Sequence, residues 1–347
     1  MSGLVESPGL AAGVSAGDGV GEAVRGGGDG PGGGGATGRA PDFFIVGNPK
    51  SGTTALYEML RRHPQIYMPE LKEPHFLASS PGRALTSGAA QPTLDPLPRT
   101  LDAYLALFEG ALPEQLVGEA SASYLRSPEA PARIHELAPD ARIVAILREP
   151  ASFLCSLHLQ HLQDHVERER DFRVALRREE IVRDGRTVRR YSDRVHYVEH
   201  LRRYHQLFAE ERVLVLIYDD FQRENEATVR SVLRFLRIDD SVPVVPLRAN
   251  PTVRMRSVGL AKLVHAVRTG QGPIGRSLNV PLEALTTRRV RRAALGLVLR
   301  RVLYGAPGAP DERLMGELRA RFKPEVVALS EYLGRDLVSL WGYERLG

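Results

Sequence analysis

A loop between an apolar run and a stretch of helical pattern carries the side chains with the clearest chemistry. It has the sequence GNPKSGTT, covers residues 47–54 and follows the apolar run 43–46. Its polar side chains and second glycine are Lys50, Ser51, Gly52, Thr53 and Thr54. Backbone N–H groups at a strand-to-helix turn bind phosphate, helped by the partial positive charge of the helix N-terminus. A lysine and several hydroxyl donors strengthen such a cradle, so the loop predicts a phosphate site.

The position of the lysine separates this loop from the usual nucleoside-triphosphate loop. That motif, GxxxxGK[ST], has its lysine directly after the second glycine. Here Lys50 comes two residues before Gly52. The pattern is therefore related to the triphosphate loop but differs from it.

A second candidate anion site follows another apolar run, residues 142–147. Arg148 comes directly after this run, and Ser156 lies eight residues later in a predicted helix. An arginine and a serine at that edge can hold a phosphate through charge-assisted hydrogen bonds. Taken alone, the pair is better explained as a surface arginine and a helix serine.

A carboxylate that could act as a base lies in the stretch Lys72-Glu73-Pro74-His75-Phe76, after a short apolar segment at 66–68. Glu73 beside Lys72 is either a simple ion pair or a general base whose pKa is tuned by its neighbours. The residues alone leave both interpretations open.

These pieces, in this order, resemble the sulfotransferases that use 3′-phosphoadenosine 5′-phosphosulfate (PAPS), above all the heparan-sulfate-type branch and its bacterial relatives. The similar stretches are FFIVGNPKSGTTALYEMLRRHPQI, KEPHFL, VGEASASYLRSP and RIVAILREPASFLCS. Weaker likeness continues through YVEHLRRYHQLFAEERVLVLIYDDF and ALSEYLGRDLVSLW. The resemblance extends over residues 42–341, and the combination of motifs is more specific than any one of them.

The resemblance implies a role for each matching residue. Glu73 is similar to the general base of the family, His75 to a nearby active-site histidine, and Lys50 to the lysine that stabilises the leaving group. The residues implied to bind PAPS are Lys50, Ser51, Gly52, Thr53, Thr54, Arg148, Ser156, Arg254, Arg256 and Ser257. No metal is expected. Some relatives carry a lysine where this chain has Ala120, and Lys72 is a candidate to supply that charge.

Two other functions remain as alternatives. A P-loop kinase or NTPase would use Asp219 and Asp220, after the apolar run 212–217, to hold Mg²⁺. The other alternative is a nucleotide-binding protein without catalytic activity. The presence of both Lys50 and Glu73 argues against it. His158, His161 and His165 have the helical spacing of metal ligands, but no cysteine pair accompanies them, and we expect packing instead.

The elements that would position these residues alternate along the chain. Continuous apolar runs at 43–46, 142–147 and 212–217 predict buried parallel strands. Helical patterns cover 54–62, 197–208, 227–236 and the chain from 310 onward, where the stretch 325–333 ends at Gly334. The charged stretch 164–194 predicts a solvated helix and loop. This order predicts a single α/β domain at 41–347, with a central, mostly parallel sheet flanked by helices and a P-loop-like strand-loop-helix phosphate site. The Gly- and Ala-rich residues 1–40 predict a disordered tail.

Composition sets limits on partners and compartment. The 347 residues carry a net charge of +5 with both signs interspersed, which suits an anionic ligand and does not indicate nucleic acid. Cys155 is the single cysteine, which excludes an internal disulfide and fits a reducing compartment. The sequence has no apolar run long enough for a membrane span and no secretory signal pattern, so we predict a cytoplasmic protein. The acceptor is expected to be a small molecule or a glycan, and the oligomeric state is open.

Overall fold

A five-stranded parallel sheet forms the centre of the described chain. This computed structural model describes residues 38–78, 97–164, 166–183, 186–247, 254–255, 304–305 and 311–344. The strands are β1 (Phe43–Gly47), β2 (Ile66–Tyr67), β3 (Leu116–Ala120), β4 (Arg142–Leu147), β5 (Glu180–Arg183), β6 (Arg186–Arg189), β7 (Val213–Ile217), β8 (Arg254–Met255) and β9 (Tyr304–Gly305). The sheet order is β2-β3-β1-β4-β7, and every neighbouring pair is parallel. Two antiparallel pairs, β5-β6 and β8-β9, lie outside this sheet.

Helices connect the strands and cover the sheet. They are α1 (Thr53–Leu60), α2 (Leu101–Leu105), α3 (Ala130–Leu137), α4 (Pro150–Gln163), α5 (Phe172–Arg177), α6 (Tyr197–His205), α7 (Tyr218–Arg223), α8 (Asn225–Leu236), α9 (Glu312–Leu333) and α10 (Leu337–Leu340). Helix α9 ends at Gly334, whose φ of 59° closes the helix in the left-handed region. Within the described ranges, no helix has the length and apolar character that crossing a membrane requires.

The sheet is buried on both faces, as the continuous apolar runs predict. In β1, Phe44 and Val46 face one core cluster, which includes residues of α4, α6 and α9. Phe43 and Ile45 face the other cluster, built with residues of α1 and α8. Side chains that alternate between two covered faces are typical of parallel sheets with helices on each side.

The predicted α/β fold is confirmed, with two differences in detail. The strands expected at 43–46, 142–147 and 212–217 are β1, β4 and β7. Strand β3 is not evident from the sequence, because Gly118 and Glu119 interrupt its apolar run. The expectation of a helix and a loop at 164–194 is incomplete, since helix α5 is followed by the β5-β6 hairpin. The helical pattern expected from residue 310 onward, with its end at Gly334, is helix α9.

Candidate functional site

The loop 47–54 follows the central strand β1 and turns directly into α1. The Asn48 amide donates to the Ile146 carbonyl of β4 at 3.0 Å, which fixes the start of the loop. Gly52 precedes α1 with a φ of 87°, and a Cβ built there would lie 2.9 Å from Cδ1 of Phe221. The turn therefore requires glycine at this position, both for its backbone conformation and for space.

Two buried polar atoms in this loop have no partner in the described part of the chain. They are Nδ2 of Asn48, whose residue is 4% exposed, and Oγ of Ser51, whose residue is 0% exposed. Buried donors without a partner are rare in folded proteins and point to a ligand group. An anionic oxygen would satisfy both donors. Burial and the nearby Arg148 guanidinium lower the pKa of Lys50, as expected where cations are held close together.

Arg148 links the loop to the end of β4. Its Nη1 donates to the Lys50 carbonyl at 2.8 Å and its Nε to Ser152 Oγ at 3.2 Å. The guanidinium also lies 4.9 Å from the ring centroid of Tyr218. The carbonyl of Arg148 accepts from Tyr197 Oη at 2.9 Å, so Tyr197 of α6 holds the residue that follows β4. The structure therefore brings Arg148 to the loop 47–54. Ser156 is buried two turns into α4.

Glu73 lies at the neighbouring edge of the sheet with Lys72 and His75. Lys72 Nζ is 2.5 Å from Glu73 Oε1, and His75 Nε2 is 3.5 Å from Glu73 Oε2. Burial alone would raise the pKa of the Glu73 carboxyl, but Lys72 and His75 outweigh it and the pKa lies below its usual range. The Glu73 side chain keeps 30% of its surface exposed, so it is both ionised at neutral pH and open to solvent.

The backbone at these residues is strained. Lys50, Glu73 and His75 have positive φ angles of 64°, 60° and 56°. In the described residues, the other non-glycine position of this kind is Arg237, which ends α8. Such conformations cost energy, persist where the surroundings enforce them, and cluster at functional sites. Here they fall on the three residues to which the sequence assigns catalytic roles.

The segment that carries Glu73 is fastened to the end of β3. The Glu73 amide donates to the Ala120 carbonyl at 3.0 Å, and the His75 amide donates to Ser121 Oγ at 3.2 Å. Nδ1 of His75 and Oγ of Ser123 are 2.7 Å apart. The sequence analysis assigned no role to these two serines. Their position in the stretch VGEASASYLRSP, directly after a strand that was not recognised, was the available signal.

The carboxylates required by the kinase alternative have other partners. Oδ2 of Asp219 accepts from Trp341 Nε1 at 3.0 Å. Asp220 pairs with Arg335 at 2.5 Å and with Arg223 at 2.8 Å. Both carboxylates therefore serve to anchor α7 and the C-terminal segment, which weighs against a Mg²⁺ role.

The remaining sequence predictions concern side chains away from these contacts. Nδ1 of His158 is 2.9 Å from Tyr191 Oη, and its ring stacks on Phe172. His165 lies outside the described residues, and the described part holds no group of three metal-ligating side chains. Cys155 packs against the core, and burial raises the pKa of its thiol to about 12. The structure describes the backbone of Arg254, in β8, but not its side chain. Arg256 and Ser257 lie outside the described residues.

Comparison with known proteins identifies similar sequences. Residues 41–241, more than half of the chain, match the family model described as "Sulfotransferase family". Human heparan sulfate glucosamine 3-O-sulfotransferase 6 is 36% identical over 124 residues, which cover 36% of this chain and 31% of that protein. Human bifunctional heparan sulfate N-deacetylase/N-sulfotransferase 3 is 33% identical over 129 residues, covering 37% and 14%. The chain thus spans less than a third of the length of these curated relatives.

A solved structure of similar extent supports the fold. The crystal structure of a sulfotransferase from Alicyclobacillus acidocaldarius superimposes with a TM-score of 0.59 at 27% sequence identity. The match covers 87% of this chain and 98% of that one. The likeness therefore extends beyond the residues matched by the family model.

Proposed function

Because this chain belongs to the sulfotransferase family, we propose that it transfers a sulfuryl group from PAPS to a hydroxyl or amine of a glycan or small molecule. The observation that carries the proposal is that two groups lie at the same edge of the sheet. The phosphate loop with its unpartnered Asn48 and Ser51 donors follows β1, and the ionised Glu73 is attached to the end of the adjacent β3. Ligands in such folds bind at the carboxyl ends of the strands.

The residues of the loop suit the donor. Lys50, Ser51, Gly52, Thr53 and Thr54 are proposed to hold its 5′-phosphosulfate, and Arg148 and Ser156 its 3′-phosphate. PAPS supplies an activated sulfuryl group when it is bound. The proposed segment with Arg254, Arg256 and Ser257 would add further contacts to the nucleotide.

The chemistry assigned to this chain is a proton transfer and a charge stabilisation. Glu73 takes the proton of the acceptor hydroxyl or amine as the new bond to sulfur forms. The bond from sulfur to the phosphate oxygen breaks, and Lys50 stabilises the negative charge left on that oxygen. His75 lies beside the Glu73 carboxylate and orients it. Positioning and electrostatics account for the acceleration, and the residues present suffice without a metal ion.

The shared core supports a single transferase domain at 41–347. The family model ends at residue 241, yet α9 and α10 add core residues to the same apolar cluster as β1 and β4.

The curated relatives act on heparan sulfate according to their names, which makes glycan hydroxyls and amines the first acceptors to test.

The test is an assay with labelled PAPS and a panel of acceptors: heparan sulfate, chitosan and 4-nitrophenol. The wild-type chain is expected to label at least one of them, and to bind the product 3′,5′-bisphosphate (PAP) in calorimetry. Glu73→Gln should retain PAP affinity and lose turnover by about a hundredfold or more, because it removes the base and leaves the phosphate loop intact.

Glu312→Gln, which neutralises an exposed carboxylate at the start of α9, is the matched control. It should leave both PAP affinity and turnover unchanged. Near-wild-type turnover of Glu73→Gln would remove Glu73 from the base role. Activity that requires ATP and Mg²⁺ would replace the sulfotransferase proposal with the kinase alternative.

A further inference from the structure

Glu119 is a buried carboxyl that the proposed mechanism does not use. It lies in β3, 0% exposed, paired in register with Phe44 at the centre of the sheet. Its Oε2 accepts from Tyr104 Oη at 2.9 Å. Retaining an ionisable group in such a place is costly unless it serves its neighbours.

Three hydroxyl groups surround this carboxyl. Burial raises the pKa of Glu119 to about 7, and the hydroxyls of Tyr124, Ser121 and Tyr104 oppose the rise because they favour the anion. Tyr104 belongs to α2, whereas Ser121 and Tyr124 both follow β3.

Each of the three hydroxyl residues also contacts one of three consecutive residues in the segment after Glu73. Ser121 Oγ accepts from the His75 amide at 3.2 Å. The Tyr104 ring stacks on Phe76 with centroids 4.7 Å apart. Tyr124 Oη accepts from the Leu77 amide at 3.1 Å. Because Ser121 and Tyr124 accept from these amides, their own protons remain available for the Glu119 carboxyl.

We propose that Glu119 is a positioning residue: its carboxyl orients Tyr104, Ser121 and Tyr124, which together hold the segment 75–77 and so fix the Glu73 carboxylate toward the acceptor. Glu73 and His75 have positive φ angles, and the surroundings must enforce that conformation. The three residues that make these contacts share the Glu119 carboxyl as a hydrogen-bonding neighbour. This inference rests on the proposed base role of Glu73.

The test compares Glu119→Gln with the wild-type chain in two measurements. PAP affinity is measured by calorimetry, and kcat and KM are measured from PAP formation with PAPS as substrate and water as the acceptor. Glutamine keeps the shape but replaces an acceptor oxygen by an N–H donor, so it reverses part of the network. We expect kcat to fall by about tenfold to a hundredfold, with KM for PAPS and PAP affinity within about twofold of the wild type.

Glu179→Gln is the matched control. Glu179 is another buried glutamate, 4% exposed, which accepts from Ser192 Oγ at 2.6 Å and from the Ser192 amide at 2.9 Å. It should lose stability without loss of kcat. If Glu119→Gln instead loses PAP affinity in parallel with kcat, or keeps wild-type kcat, the positioning role is wrong.

Tyr124→Phe provides a reading that does not depend on the folding of a Glu119 variant. It removes the hydroxyl that accepts from the Leu77 amide, and should lower kcat while leaving PAP affinity unchanged. An unchanged kcat in Tyr124→Phe contradicts the proposal. If the wild-type chain neither binds PAP nor forms it from PAPS, the proposed function itself fails, which is a different outcome from either result above.

Discussion

The contact between Lys72 and Glu73 bears on the family lysine that this chain lacks. Ala120 occupies that position, and its carbonyl accepts from the Glu73 amide at 3.0 Å. Lys72 reaches the same glutamate from the adjacent position, with Nζ 2.5 Å from Oε1. A cation beside the proposed base is thus present without a lysine at position 120. That Lys72 replaces the family lysine stays a prediction.

Replacing Lys72 by methionine should move the acid limb of the pH profile. The Lys72 ammonium is the largest cause of the low pKa of Glu73, so its removal raises that pKa. A base works when ionised, and kcat/KM is therefore lost as the pH falls through the pKa of the free enzyme. The loss should begin at higher pH in Lys72→Met than in the wild type, measured with PAPS and one fixed acceptor.

Lys323→Met removes the same charge from α9 and serves as the control, with an unmoved acid limb. An identical limb in Lys72→Met and the wild type would show that the ion pair does not set the ionisation of the base. A downward shift would contradict the assignment of Glu73 altogether, because removal of a neighbouring cation cannot favour the anion.

Among secondary-structure elements, the C-terminal segment contacts the start of α4, next to the second proposed phosphate site. Glu149 follows Arg148 and begins α4, with its carboxylate accepting from the amides of Ala151 and Ser152 at 3.0 and 2.6 Å. Tyr343, after α10, donates to Glu149 Oε1 at 2.6 Å. The segment beyond the family-model match therefore contacts Glu149, the residue that follows Arg148.

Tyr343→Phe should destabilise the protein because it removes a donor from the buried Glu149 carboxylate. Hydrogen bonds to charged groups contribute about 1.5–3 kcal/mol, and we expect a loss of that order in the free energy of unfolding, measured with urea. PAP affinity should weaken modestly, since α4 carries Ser156. Tyr332→Phe, which loses a half-buried contact to His205, is the control and should cost less. Equal losses in the two variants would argue against a special role for the Glu149 contact.

The sequence predicts some elements well and others poorly for physical reasons. Strands β4 and β7 are continuous apolar runs, so their burial is visible residue by residue. Strand β3 is hidden because Glu119 is buried only with help from Tyr104, a partner 15 residues away that no local pattern reveals. The same holds for the site: Lys50, Glu73 and Arg148 stand out by type and motif. Ser121 and Tyr124 act through contacts that exist only once β3 is placed.

Considered as a whole, the molecule joins the two proposed anion sites through one side chain. Arg148 contacts the Lys50 carbonyl of the phosphate loop and also lies at the end of β4 near α4. A nucleotide with phosphates at both positions should therefore engage β1, β4 and their helices together. A nucleotide with one phosphate should engage only part of this set.

Nucleotide-dependent thermal unfolding tests this arrangement. A ligand that binds only the folded state adds about 2.7 kcal/mol to the free energy of unfolding at a concentration about 100 times its Kd. At equal concentration, PAP should therefore raise the melting temperature more than AMP, which lacks the 3′-phosphate. Arg148→Lys keeps the charge but replaces the two guanidinium nitrogens that donate to Lys50 and Ser152 by a single ammonium, so it should reduce the advantage of PAP over AMP. Stronger stabilisation by ATP with Mg²⁺ than by PAP would contradict the proposed donor, because it would show a triphosphate site in place of two separate phosphate sites.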